Sequence, residues 1–530
     1  MTRLEMATRI KDNLSQLLSL EVKLPTGSDD VIHLETAKEN LSVTAGYLYK
    51  EQGCQLVQML GNDEREICGS LSVYLVFVHD GEGLILILRV AIAPEDLVYP
   101  SVTPVIPAAH WYEREIRDLY GLEPKGHPQL RRLAVHKDWP KQHYPLRRDF
   151  PLTKKVPRSE GEFKFIPVEG EGVMQIPVGP IHAGIIEPGH FRFSVVGENV
   201  LHLEARFFYT HRGMEKLAEG KTPQEGLLIA ERICGACSFS HSLAYCLALE
   251  KLTETAVSER VDYIRTLGME LERLYNHIGD VGNICAGIGF AFGTMQGARL
   301  KEKMQQLNET VFGSRFLRGI NTPGGVRRDL NSDQLSLILQ TLSQVEGEFR
   351  ELTEILLASE SYLNRVQGTG LLRHDIASEL HAVGPAARAS GVDRDLRRDH
   401  PYAAYAKLAF RVPVLQEGDV LARVKLRIEE TFESMGIIRQ VLASMPEGEL
   451  KVALKPLPAY AYAVGMTESA RGENVHFVMA GQDGRIFRHM VRSASYCNWP
   501  VVPSTVPGNI VPDFPLINKS FELCYSCLDR

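Results

Sequence analysis

The sequence predicts an α+β fold in which a small N-terminal α/β domain precedes a mainly helical-bundle domain, with a short β hairpin at the start of the second domain. Three observations predict it. Short alternating segments dominate residues 15–95, two β-rich runs flank a turn within 190–209, and apolar spacing of three and four runs through 225–310 and 332–366. A length of 530 residues exceeds what one hydrophobic core ordinarily supports, so at least two domains are expected.

Taken in order, the opening stretch MTRLEMATRIKDNLSQLLSLEVKL is broken by charges every few residues. It reads as a helical start and lacks the apolar run of a secretory signal. VIHLETA, LSVYLVFV and LILILRVAI follow as strands of a mixed sheet with flanking helices. In YPSVTPVIPAAHWYEREIRDLYG prolines punctuate a helical segment, and a charged, proline-containing stretch comes next. The domains are therefore drawn as 1–155, a linker over 156–172, and 173–530. HFRFSVVGENVLHLEARFFY reads as a hairpin because its two runs flank the turn-favouring GEN. VDYIRTLGMELERLYNHIGDV has the periodicity of a buried bundle helix, and no internal repeat is visible.

Composition excludes some functions. Hydrophobic residues make up 44%, charged residues 24% and the formal net charge is -7, which gives no electrostatic reason to bind nucleic acid. The apolar run GLILILRVAIA is far shorter than the ~20 residues of a spanning helix and contains an arginine. Membrane association is thus expected only through partner subunits. Nine cysteines are too few and too scattered for a disulfide framework, which points to a reducing compartment. Cys54, Cys68, Cys246, Cys285 and Cys497 stand alone and read as small buried apolar residues.

The other four come as pairs: Cys234 and Cys237 in ERICGACSFSHSLAYC, with His241 close behind, and Cys524 and Cys527 in FELCYSCLDR. Spacing alone favours a structural zinc site, since four thiolates satisfy tetrahedral zinc. Three features favour a buried cofactor instead. The pairs lie nearly three hundred residues apart, so the site must join the two ends of a domain. Arg232, His241 and Arg530 offer donors that can stabilise thiolates or anionic metal ligands. The given sequence also ends three residues past Cys527.

RICGAC followed by His241, paired with CYSCLDR, resembles the two metal-binding motifs of the nickel-iron hydrogenase large subunit, in the variant with arginine in place of the last histidine. The resemblance is to the membrane-complex type, of the formate hydrogenlyase and hydrogenase-4 kind, in which a second respiratory-complex domain is fused. PSVTPVIPAAHWYEREIRDLYG with GHPQLRR resembles the 30-kilodalton subunit of respiratory complex I. HRGMEKLAE and GPAARASGVDRDLRRDHPY resemble its 49-kilodalton subunit. The complex I subunits lack both thiolate pairs, so the cysteines decide for a hydrogenase.

The resemblance implies an oxidoreductase that interconverts protons plus electrons and dihydrogen, hydrogen-evolving within a respiratory complex linked to formate or another low-potential donor. It implies that all four thiolates bind nickel, and that Cys237 and Cys527 bridge to an iron carrying cyanide and carbon monoxide. Glu187 in IIEPGHFRF resembles the family's proton-relaying glutamate, and Arg471 in TESARGENVH the arginine over the open side of the metals. His241 is expected on a bridging thiolate, with Arg232, Glu522 and Arg530 around the ligands. Two departures stand out: Ala470 where the family has proline, and Glu522-Leu523 where it has aspartate and proline. Asp329 and the arginines of GGVRRD line the cavity or form a plain ion-pair network.

No cysteine group remains for an iron-sulfur cluster, so a small iron-sulfur subunit is expected to carry it. The implied further partners are ferredoxin-like electron-transfer subunits, membrane antiporter-like subunits, a formate dehydrogenase and a maturation protease that cuts after Arg530 once nickel is inserted. The expected location is the cytoplasm, peripheral on the cytoplasmic face of the inner membrane. A nickel-free quinone-site subunit of the complex I type and a zinc-stabilised scaffold are the alternatives.

Overall fold

The computed structural model describes residues 3–18, 21–23, 30–183 and 186–530. The chain divides into two compact units, Met1–Phe165 with Glu379–His381, and Ile166–Ser378 with Ala382–Arg530.

In the first unit the N-terminal helix Arg3–Leu18 buries Met6, Ile10 and Leu14, one residue per turn. The strands are β1 (Glu21–Lys23), β2 (Val31–Thr36), β3 (Gln55–Glu64), β4 (Ser70–His79) and β5 (Leu84–Ile92). They form one sheet in the order β1-β2-β5-β4-β3, with β2 and β5 parallel and the remaining pairs antiparallel. The sheet is mixed, as the alternating segments indicate. β4 and β5 are buried on both faces, which is why LVFV and LILI run apolar without interruption.

Helix α1 (His110–Tyr120) packs on β3 where Gly61 leaves room, since a Cβ there would lie 2.7 Å from the Tyr120 ring. The proline-punctuated segment before α1 is clasped by the buried Glu113 carboxylate. It accepts from Ser101 Oγ at 2.6 Å, Val102 N at 2.8 Å and Thr103 Oγ1 at 2.5 Å.

The second unit opens with an antiparallel sheet of β6 (Val173–Val178), β7 (His190–Val196) and β8 (Asn199–Arg206). β7 and β8 are the hairpin read from the sequence, and β6 adds a third strand to it. Helices α2 (Pro223–Ala230), α3 (Ser238–Leu252), α4 (Glu259–Ala286) and α5 (Ala291–Phe312) follow. The periodic window 225–310 is therefore not continuous: it breaks at the loop carrying the first cysteine pair.

α4, α5, α6 (Ser332–Ala358) and α7 (Val420–Ala443) share one core that includes Leu267, Leu274, Met304, Leu342, Phe349, Val424 and Met435. α4 and α5 approach closely at Gly282 and Gly297, where a Cβ on Gly282 would lie 2.7 Å from the Gly297 Cα. Three of these helices start on side-chain oxygens: Ser258 accepts from Val261 N, Asn331 forms a capping box with Gln334, and Asp419 accepts from Ala422 N.

A second antiparallel sheet, β9 (Tyr462–Ser469), β10 (Gly472–Ala480) and β11 (Ile486–Arg492), was not foreseen from the sequence. Its strands β10 and β11 are buried along their full length, yet they carry Glu473, Asn474, His476, Arg488, His489 and Arg492. Polar residues thus occupy both faces, and the hydropathy alternation that betrays a strand is lost.

β9 lies directly on α3, the helix that follows the first cysteine pair. A Cβ at Gly465 would stand 1.9 Å from the Ala244 carbonyl oxygen and 2.7 Å from Ala248 N. Gly465→Ala is expected to push α3 off the sheet at a cost of about 1–3 kcal/mol or more. A melting curve on the purified protein should fall by several degrees, and metal retention should fall with it.

Candidate metal centre

Both cysteine pairs use the same local device. Cys237 stands at the start of α3 without a side-chain cap bond, and its amide donates to the Cys234 sulfur at 3.3 Å. Cys524 caps helix α9 (Tyr525–Asp529), and the Cys527 amide donates to its sulfur at 3.3 Å. Helix N-termini supply partial positive charge that favours thiolates. The second pair is presented by a sharp turn after helix α8 (Phe514–Phe521), where Glu522 takes φ +52°.

The fold brings the four sulfurs together, with Cys234 in contact with those of Cys237, Cys524 and Cys527. Ligand atoms of Cys234, His241 and Cys527 lie within 4.8 Å of one another. Neighbouring thiols hold Cys524 well below the usual thiol range, and Cys237 is lowered by Cys234 and by the Arg471 charge. Each pair thus contains one sulfur biased toward the thiolate, the form that binds metal.

Around the sulfurs, Glu187 Oε2 lies 3.6 Å from Cys524 Sγ and accepts from the Ser526 amide at 2.9 Å. Burial and the Cys524 charge raise its carboxyl above the usual range. His241 Nε2 lies 3.4 Å from Cys527 Sγ, and burial lowers this histidine to about 3, so its ring is neutral.

Arg471 is buried and held by both oxygens of Asp280 at 2.6 and 2.9 Å, close enough to Cys237 and Cys234 for their charges to stabilise it. Its Nε has no hydrogen-bond partner among the described residues. Ala470, also buried, leaves that anchoring intact. Glu522 accepts from Asn283 at 2.6 Å and is pushed up to about 7 by burial and by Asp280. It therefore meets the neighbours of Arg471 rather than a sulfur in the contacts it makes here.

The other two flanking arginines behave differently. Arg232 is 54% exposed and donates to the Leu228 carbonyl, in the last turn of the preceding helix α2. The Arg530 guanidinium is buried against Glu215 Oε1 at 3.2 Å, the Val491 carbonyl and the face of Tyr496. Asp329 pairs with Arg260 at 2.5 Å and is half exposed, an ordinary ion pair.

Residues that sequence reasoning missed complete the site. Arg212, inside the HRGMEK motif, donates to the carbonyls of Arg232, Ile233 and Ser526 at 2.7–2.9 Å and so ties the two cysteine loops together. Asp529 accepts from Phe208 N and Thr210 N, each at 2.8 Å, fixing the second loop to the strand-exit segment. Beyond Asp280 the buried polar groups continue through His277 to Glu430 at 2.8 Å and on to Arg388 at 2.6 Å.

Because Arg212 spans three carbonyls with one planar fork, Arg212→Ala is expected to cost about 1–2 kcal/mol, the lower range for charge-assisted bonds at an exposed position. Lysine should restore only part of this, having no fork. Thermal melting and metal content of the two variants check the ordering.

Comparison with known proteins fits this arrangement. A family model described as "Nickel-dependent hydrogenase" matches residues 212–280, which include Arg212, the first cysteine pair and Asp280. The "Respiratory-chain NADH dehydrogenase, 49 Kd subunit" model matches 287–461 and 454–530, and the 30 Kd subunit model matches 34–156. Formate hydrogenlyase subunit 5 of Escherichia coli (strain K12) is 39% identical over 94% of this chain and 90% of that protein. Hydrogenase-4 component G of the same strain is 39% identical over 91% and 85%. Among solved structures, a chain of the membrane-bound sulfane sulfur reductase, an archaeal respiratory membrane complex, superposes with a TM-score of 0.64 at 27% identity. It covers 69% of this chain and 100% of its own.

Proposed function

Because this chain belongs to the nickel-iron hydrogenase large-subunit family, in the membrane-complex form with fused complex I-type domains, we propose that Cys234, Cys237, Cys524 and Cys527 hold its nickel-iron centre. The chain is the catalytic subunit of an oxidoreductase that interconverts protons plus electrons and dihydrogen.

The observation that carries the metal assignment is the convergence of four sulfurs beside one carboxyl and one anchored guanidinium. A soft four-thiolate set suits nickel. Zinc would be equally satisfied by the sulfurs, but a closed structural site has no use for a raised carboxyl on one ligand or a buried cation over another. Bound there, a nickel-iron pair with carbon monoxide and cyanide on iron would supply Lewis-acid chemistry for the heterolytic splitting of dihydrogen.

The chain's own residues do the rest. Glu187 holds or releases a proton within reach of Cys524 Sγ. Arg471, fixed by Asp280, keeps positive charge beside Cys237. His241 sets the hydrogen bonding of Cys527.

The partners follow from the chemistry and from the relatives. Electrons must leave through a small iron-sulfur subunit and ferredoxin-like subunits, because the five other cysteines are scattered as single residues. No helix among the described residues is long and apolar enough to cross a membrane, so membrane antiporter-like subunits would carry the attachment, on the cytoplasmic face. The name formate hydrogenlyase supports a formate dehydrogenase as donor. A maturation protease completes the expected set.

Metal analysis of the purified complex is expected to return nickel and iron with this chain, both lost when the first pair is replaced by serine. Stoichiometric zinc in place of nickel would contradict the assignment.

A further inference from the structure

Three buried histidines from three different elements stand in a row behind the metal centre. His241 is on α3, His476 on β10 and His489 on β11, and each is at most 1% exposed. His241 Nε2 lies 3.4 Å from Cys527 Sγ, His241 Nδ1 lies 2.9 Å from His476 Nε2, and His476 Nδ1 lies 2.9 Å from His489 Nε2. Strand register builds the outer half of the row. His489 pairs with Val478, two residues along β10 from His476, so the two rings share one face as diagonal neighbours. A slip of one residue would send His489 to the opposite face.

A neutral imidazole has one N–H and one lone pair, so each ring in such a row must accept on one side and donate on the other. Each 2.9 Å contact between ring nitrogens holds one proton, so one nitrogen donates and the other accepts. The row then has only two states. A metal-bound Cys527 thiolate can only accept, which requires the proton on His241 Nε2. His241 Nδ1 must then accept from His476 Nε2, and His476 Nδ1 must accept from His489 Nε2.

We propose that His476 and His489 are positioning residues that lock His241 as an N–H donor to the Cys527 sulfur, through a directional chain of three imidazoles. The proposal rests on the reading of Cys527 as a metal-bound thiolate. A hydrogen bond to a thiolate withdraws electron density from the metals it ligates. Losing the lock would therefore leave the metals richer in electrons and, by increased back-donation, weaken the internal C–O and C–N bonds of the carbon monoxide and cyanide on iron.

The test uses infrared spectra of the assembled complex with His489→Leu and His489→Gln. Leucine removes the donor to His476 Nδ1 and frees both tautomers. The expected result is a downward shift of the diatomic bands by more than their linewidth. Glutamine presents an amide N–H near the position of the lost Nε2, and its bands should return to the unaltered positions. Should the leucine variant fail to load metal, His489→Asn, polar but too short to reach His476, should give the same downward shift.

A merely structural role for His489 predicts changed melting with unmoved bands, or equal shifts for leucine and glutamine. Either result overturns the relay. No diatomic bands in the unaltered complex would instead overturn the metal reading on which the proposal stands.

Discussion

Replacing Cys527 with alanine is expected to abolish both nickel retention and hydrogen turnover, the largest effect of any single substitution in this chain. Cys527 contacts Cys234, receives His241 at 3.4 Å and is 3% exposed, so no other side chain can move in to replace it. Removing one thiolate from a set of four also removes the softest donor available, and the remaining polar neighbours cannot substitute for it. Cys527→Ser keeps the size and the N-terminal turn of α9 but offers a hydroxyl, a poor ligand for nickel at neutral pH. Both variants should therefore lose nickel while the first unit, with its own sheet and core, melts normally. Full nickel content with normal hydrogen evolution in Cys527→Ala would remove this cysteine from the site.

Glu187→Gln is expected to do the opposite: keep the metals and lose the reaction. The carboxylate takes the Ser526 amide at 2.9 Å, and a glutamine carbonyl can take the same bond, so the second cysteine loop should hold its shape. What disappears is a transferable proton 3.6 Å from Cys524 Sγ, on a carboxyl already raised by burial and by that sulfur's charge. Loss of a positioned acid or base typically costs about 10²–10⁴-fold. Hydrogen–deuterium exchange should fall by that order while nickel content and metal spectra persist. Exchange at the unaltered rate in a fully loaded Glu187→Gln protein would place the proton path elsewhere.

How much of this was legible in the sequence depends on how local each signal is. Strands β4 and β5 announce themselves because burial on both faces leaves no choice but apolar side chains. The cysteine pairs are legible because two ligands in one turn must sit close in sequence, and Glu187 because its segment resembles a known one. Arg232 shows the limit: two residues before Cys234 in sequence, it folds back on Leu228 and stays in solvent. The arginine that does bind both loops, Arg212, comes from twenty residues upstream, and only the fold brings it there. His476 and His489 give no spacing signal at all. They lie on strands whose polar, buried character hid the sheet itself, and their meaning depends on register. Asp280 was hidden in the same way, one carboxylate on a long helix that proves to anchor Arg471.

Infrared spectroscopy of the purified complex separates a nickel-iron centre from a zinc site, because carbon monoxide and cyanide bound to iron absorb where protein does not. Sharp diatomic stretching bands are expected to accompany nickel and to disappear when any of Cys234, Cys237, Cys524 or Cys527 is replaced. A spectrum without such bands, from protein that carries zinc on four intact cysteines, would contradict the nickel-iron assignment.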